Sequence, residues 1–168
     1  MTLRGITINT MNRVSNHRYN YSKEVGDRIE DMFVNLMSSK GFDVVAANDN
    51  DNMFKHIDFY VNGLGIDVKG GRHDECIWLE TVNVRGNNGW LNGEADYICF
   101  HFEKHNAFRM FRRDDLLAFV LDNVTETTTN KSDFLKYYTR EKWGKKDKIV
   151  KVKYDHIKHL KHKTFECI

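Results

Sequence analysis

Two aspartates and a lysine interrupt an otherwise strand-like segment, HIDFYVNGLGIDVKG, over residues 56–70. Asp58, Asp67 and Lys69 are residue types that packing alone rarely draws into a sheet. Between them lies Asn62-Gly63, the strongest two-residue hairpin signal, because a type I′ loop needs positive φ at both positions. Such a loop fixes the register: Val61 opposite Leu64, Tyr60 opposite Gly65 and Phe59 opposite Ile66. By continuation it sets Asp58 opposite Asp67, Ile57 opposite Val68 and His56 opposite Lys69. Alternation then places Ile57, Phe59, Val61, Leu64, Ile66 and Val68 on one apolar face. The other face carries the two aspartates, with Cβ atoms expected about 4.5–5.5 Å apart, and Lys69 one diagonal step away.

Like charges directly opposed destabilise a plain hairpin. A hard divalent cation such as Mg²⁺ removes the conflict, since its usual protein site is one or two carboxylates plus waters and a substrate phosphate. Lys69 would then position or deprotonate an attacking water, or hold a phosphate oxygen and stabilise developing charge. The alternative is a solvated sheet face on which Lys69 only neutralises the aspartates.

The elements that must position this trio follow from periodicity. Over residues 22–40, Val25, Ile29, Met32, Phe33 and Leu36 recur at helical spacing, Glu24 and Asp27 suit a first turn, and Gly41 supplies the stop. Glu30 lies about 100° from the centre of the apolar stripe, at a rim from which it could look toward the sheet edge. FDVVA reads as a strand, NDNDN as a loop, and CIWLETV, ADYICFHF and AFRMF as further strands; Asp114 or Asp115 caps a short helix. FLKYYTREKW is predicted helical and KIVKVKY a late edge strand. Residues 1–21 are expected to form an N-terminal arm, and residues 22–168 a single domain whose last part, from about residue 142, is basic. This is an α/β or α+β arrangement: a central mixed sheet of four to five strands flanked by helices.

Composition sets outer bounds. The 168 residues suit one domain with a sizeable core, and 40% hydrophobic with 12% aromatic residues argue against global disorder. A net charge of +2 does not by itself imply nucleic acid, but the lysine-rich stretch KWGKKDKIVKVKYDHIKHLKHK concentrates the positive charge. Cys76, Cys99 and Cys167 are odd in number and widely spaced, so a reduced, cytoplasmic setting is expected rather than a disulfide framework. No run is long and apolar enough to imply a membrane.

Glu30, Asp58 and Asp67-Val68-Lys69 together resemble the PD-(D/E)XK nuclease superfamily, nearest to Holliday-junction resolvases and small phage endonucleases. Gly26 four residues before Glu30, the helix closing on Gly41-Phe42 with Val44-Val45, and the later AFRMFRRDDLL match the pattern, which spans about residues 26–117. Ile57 stands where the superfamily carries a proline. The resemblance implies a restriction-endonuclease-like fold and metal-dependent endonuclease activity on DNA, branched or structured DNA included, in the cytoplasm, which for a phage enzyme is its host cell's. It makes Asp58 and Asp67 metal-binding carboxylates, Lys69 the catalytic lysine, Glu30 a further acid and the Val68 carbonyl an extra ligand, with Mg²⁺ or Mn²⁺ as cofactor. A homodimer is a further expectation, because cutting two strands symmetrically needs paired sites.

Remaining candidates carry two readings each. Glu80 would be a ligand or water-orienting group at the same site, or a solvated strand residue. Arg72, Arg85, Asn88 and Trp90 sit in flanking loops suited to phosphate contact and base stacking, although Trp90 could equally plug the core. His156, His159 and His162 drift about 60° per step on a helix and converge poorly on zinc, so they are expected on a basic solvated face. A noncatalytic nucleic-acid- or protein-binding module on a nuclease-like scaffold is the competing function.

Overall fold

The computed structural model describes residues 4–70 and 75–167, with side chains described from Ser22 onward. Helix α1 (Arg4–Ser39) starts well before residue 22. The segment expected as an arm therefore continues the helical backbone, and no Gly or Pro interrupts residues 6–25. At its end the Gly41 N–H bonds the Ser38 carbonyl (3.0 Å) and the Phe42 N–H the Met37 carbonyl (3.1 Å), the paired closure of a Schellman motif.

Strand β1 (Val44–Ala46) leads into α2 (Asp49–Lys55), where a loop was expected. The Asn48 side chain caps α2 by accepting from the Asp51 N–H, and Asp49 and Asp51 complement the helix's positive end. Strands β2 (Phe59–Val61), β3 (Leu64–Lys69), β4 (Cys76–Val82), β5 (Tyr97–Phe102) and β6 (Ala107–Arg112) follow, then α3 (Arg113–Asn123), β7 (Thr127–Thr128), β8 (Tyr137–Thr139), β9 (Lys148–Lys153), α4 (Tyr154–Ile157) and β10 (His162–Glu166). The main sheet has six strands in the order β1-β2-β3-β5-β6-β10, and a second sheet has four, β4-β9-β8-β7. Only the β3–β5 pair of the main sheet is parallel, so the sheet is mixed and the fold is α+β, helices flanking sheet.

Several expectations are corrected here. β4 leaves the main sheet, because the far edge of β3 is taken by β5. FLKYYTREKW is not an α-helix: Leu135 has φ 55, the strand-forming Tyr-Tyr-Thr builds β8, and only Glu141–Trp143 makes a single 3₁₀ turn. KIVKVKY lies inside the second sheet, between β4 and β8, rather than at an edge. His156 accepts the Lys153 N–H at 3.0 Å, whereas His162 belongs to β10 and contacts the Tyr154 hydroxyl at 3.0 Å, so the histidine series shares no helix face.

Two cores result. Ile29, Phe33 and Met37 of α1 pack on Val61, Ile66, Val68, Cys99, Phe108 and Met110 on one face of the main sheet. On the other face, Phe100 and Phe111 meet Leu79 and Val150 of the second sheet and Leu116 of α3. No helix among the described residues is long and apolar enough to cross a membrane. Phe33 is fully buried, with ring centroids 5.8 Å from Phe59 and 5.7 Å from Phe108. Phe33→Ala is expected to cost about 3–5 kcal/mol in urea denaturation, and a loss below about 1 kcal/mol would show that α1 is not fastened through this contact.

Candidate active site

The hairpin turn forms as the sequence predicts, with Phe59↔Ile66, Tyr60↔Gly65 and Val61↔Leu64 paired and positive φ at Asn62 (47) and Gly63 (81). Beyond Phe59 the ladder departs from expectation. The Asp58 N–H bonds the Ile66 carbonyl at 2.9 Å, so two residues of one strand oppose one of the other, a β-bulge. This single-residue slip turns Ile57 to the opposite face, into the core shared with the second sheet, and His56 becomes the left-handed C-cap of α2. The expected pairs Ile57–Val68 and His56–Lys69 do not form. In their place the Asp58 carboxylate accepts the Val68 N–H at 2.7 Å on one oxygen and the Asn52 side-chain amide at 2.8 Å on the other.

Asp67, on β3, interacts with the Asp58 carboxylate. It is 1% exposed; one carboxylate oxygen meets the Lys69 ammonium at 2.6 Å and the other, Oδ2, is buried without a hydrogen-bond partner. Burial, opposed by Lys69 and reinforced by Asp58, pushes the Asp67 carboxyl up to about 7. Burial pulls the other way on Lys69, yet Asp67 and Asp58 carry its ammonium above its ordinary value. The same ammonium lies 5.4 Å from the centroid of the Trp90 ring.

Two more acids reach this centre from either side of the sheet. Glu30, half-buried on α1, is pushed up to about 7 by burial and then by the Asp58 charge, with Lys69 opposing. Glu80, half-buried on β4, is raised by burial against the Trp90 backbone N–H and Lys69, both of which favour its charged form. A β-carbon at Gly89 would stand 2.5 Å from the Glu80 carbonyl oxygen, so the 83–89 loop can close on β4 only with glycine there. The backbone N–H of Val68 points to the Asp58 side of β3, and in an extended strand the carbonyl of the same residue points the same way.

Thus Asp58, Asp67 and Lys69 meet near the carboxyl end of β3, and Glu30 and Glu80 feel the Lys69 charge from the elements on either side. Among the described residues, however, no three His, Cys, Asp or Glu side chains form a ready metal-holding cluster. Arg85 and Asn88 are exposed on a loop shaped by Asn83, whose side-chain oxygen accepts the N–H groups of Arg85 and Asn87, both at 3.0 Å. Arg72 lies outside the described residues. The base-stacking expectation for Trp90 is corrected: its ring is 9% exposed and packs edge-on to Phe100 at 6.1 Å, beneath the lysine. Sequence reading missed α2, whose Asn52 fixes Asp58 and whose Met53 and Phe54 border an open cleft; Asn48 followed by acids was the available signal.

No family model matches this chain, and no curated protein matches it. A solved bacterial homing endonuclease, I-Ssp6803I, is similar at 16% identity and a TM-score of 0.44, over 73% of this chain and 86% of its own. Likeness at that level carries no functional weight, and the chemistry must come from the site.

Because the folded-state pKa of Glu30 lies above its ordinary 4.5, ionisation opposes folding: the penalty is absent below 4.5, grows with pH and is complete above about 7. Glu30→Gln is therefore expected to stabilise the metal-free protein at pH 8 by about 1–2 kcal/mol, allowing for solvent screening, and progressively less toward pH 5. Denaturant titrations at the two pH values check this, and an equal effect at both would refute it.

Proposed function

We propose that this protein is a divalent-metal-dependent endonuclease of the PD-(D/E)XK type that hydrolyses phosphodiester bonds in DNA. The observation that carries the reading is the buried Asp67 carboxylate, held by Lys69 on one oxygen, unpartnered on the other and next to an Asp58 fixed by Asn52 and the Val68 N–H. An orphaned buried carboxylate oxygen costs free energy unless something binds it. A hard cation with carboxylate and water ligands fits that donor set.

Asp58, Asp67 and the Val68 carbonyl would hold Mg²⁺ or Mn²⁺, with Glu30 as an outer acid. Such an ion lowers the pKa of a bound water and polarises the phosphoryl group. The chain's own part is positional and electrostatic. Lys69, kept protonated by its two aspartates, is suited to donate to a phosphoryl oxygen and stabilise charge developing there, rather than to remove a proton. Trp90 beneath it limits the directions the ammonium can take. Glu80, within electrostatic reach of Lys69, would orient a water, and Asn52 keeps the Asp58 oxygens from rotating. Arg85 and Asn88 would contact the DNA, Arg85 at its backbone. Residues 22–168 acting as one domain, and a homodimer for paired cuts, belong to this proposal.

The lack of a ready three-ligand cluster among the described residues is what a noncatalytic binding module would predict, so the assay must separate the two. Linear, nicked and branched DNA and RNA incubated with Mg²⁺, Mn²⁺ or EDTA should show cleavage of DNA with metal only. Asp67→Asn is expected to abolish it, and Lys69→Met to slow it by about 10²–10³-fold. Metal-dependent cutting of none of these substrates would leave the binding module as the function. Mg²⁺ should also raise the melting temperature of the wild type more at pH 8 than at pH 5.5, because the ligands bind deprotonated, and should leave Asp67→Asn unchanged.

A further inference from the structure

A cleft of about 990 Å³ opens between α2 and the 83–88 loop; Glu30, Asp58, Asp67, Lys69 and Glu80 do not line it, and its connection to them runs through Asn52 of α2 and Gly89 of the loop. Its two walls differ in kind. On α2, the adjacent Met53 and Phe54 are 67% and 71% exposed, large apolar side chains that contribute nothing to either core. Opposite them, Arg85, Asn87 and Asn88 present a guanidinium and two amides, and neither Asn side chain has a hydrogen-bond partner among the described residues. Asn83 and Asn92 differ from these, since Asn83 shapes the loop and Asn92 donates to the Thr81 carbonyl at 2.9 Å. Lys146 adds charge to the loop's outer side: its N–H bonds the Val84 carbonyl at 3.2 Å and its side chain lies along Gly86.

Resting on the endonuclease reading, we propose that this cleft takes an unpaired nucleotide next to the scissile phosphate, with Phe54 as its stacking face, and that the preferred substrate is DNA carrying a base outside the double helix.

Three features select that occupant. A protein segment would need an apolar centre to its contact, and the large apolar side chains of the cleft, Met53 and Phe54, lie on one wall only. An unstacked base needs an aromatic face and hydrogen-bonding groups for its edge, while its backbone needs cations; Phe54, the free amides and Arg85 with Lys146 supply these in order. Glu94, on the cleft lining, repels phosphate yet accepts from exocyclic amino groups, so it suits the base rather than the backbone. The cleft is also tied to the chemistry. Asn52, one residue before Met53, holds the Asp58 carboxylate, and the loop wall closes against Glu80 through Gly89. Met53 beside Phe54 forms the kind of apolar wedge that keeps a neighbouring base step apart.

The test reads binding in EDTA, where no cleavage can intervene. Fluorescence anisotropy compares a fully paired duplex with the same duplex carrying a single unpaired 2-aminopurine or a short flap. Wild-type protein is expected to bind the unpaired forms about tenfold tighter and to quench 2-aminopurine by stacking. Phe54→Ala should lose that preference and the quenching with an unchanged melting temperature, Phe54→Trp should keep both, and Asn87→Ala/Asn88→Ala should weaken the unpaired complexes. Equal affinity for paired and unpaired DNA, absence of binding, or a Phe54→Ala variant that behaves as wild type would overturn the assignment. Metal-dependent cleavage, scored separately on the same DNAs, tells its failure apart from failure of the nuclease reading.

Discussion

The arrangement depends on one costly contact: a carboxylate at the middle of a mixed sheet, almost wholly withdrawn from water, sharing only one of its oxygens with a lysine. Removing a charge from solvent opposes folding, and a lone ammonium does not fully offset it, as the raised Asp67 pKa indicates. The surrounding features limit that cost without abolishing it. Asp58 is locked by two donors, Lys69 rests on an indole, and Oδ2 of Asp67 is left bare. Retaining such a group lowers the stability of the fold.

Layering explains why further acids arrive at the same point. α1 covers one face of the main sheet and overhangs the end of β3, where Gly70 admits the Ile29 side chain within 3.2 Å of where a β-carbon would stand, and this brings Glu30 to the rim. The second sheet covers the other face and delivers Glu80, and the connection after β4 delivers Trp90. The parallel β3–β5 pair requires a crossover, and the excursion through β4 and the 83–94 loop fills it, so the connection demanded by topology is also the wall of the cleft. Crevices at the carboxyl ends of parallel strands are the usual outcome of such a crossover.

Asp58 shows how a local irregularity can serve a site. Had the hairpin stayed regular, the two aspartates would face each other as a simple cross-strand pair, and the Val68 N–H would be spent on Ile57. The bulge frees that N–H to orient a carboxylate and turns Ile57 into the opposite core, against Gly65. Chain direction beyond the bulge then sets α2 and its exposed Met53-Phe54 at the margin of the site.

Sequence alone determined what short-range physics controls: the Asn62-Gly63 turn with its three flanking pairs, the apolar stripe and Gly41 stop of α1, the strands β5 and β6, and the closeness of Asp58, Asp67 and Lys69 across the hairpin. These follow from backbone sterics and side-chain periodicity, which act within a few residues. Tertiary structure decided the bulge at Asp58, the departure of β4 into a second sheet, the strand fate of FLKYYTREKW, and the burial of Trp90. Each depends on which distant partner wins an edge or a cavity: β5 against β4 for the side of β3, β9 for the Tyr137–Thr139 segment, Phe100 and Lys69 for the indole. Competition among partners far apart in the chain leaves no local mark, so those features became legible only when the two sheets were seen together.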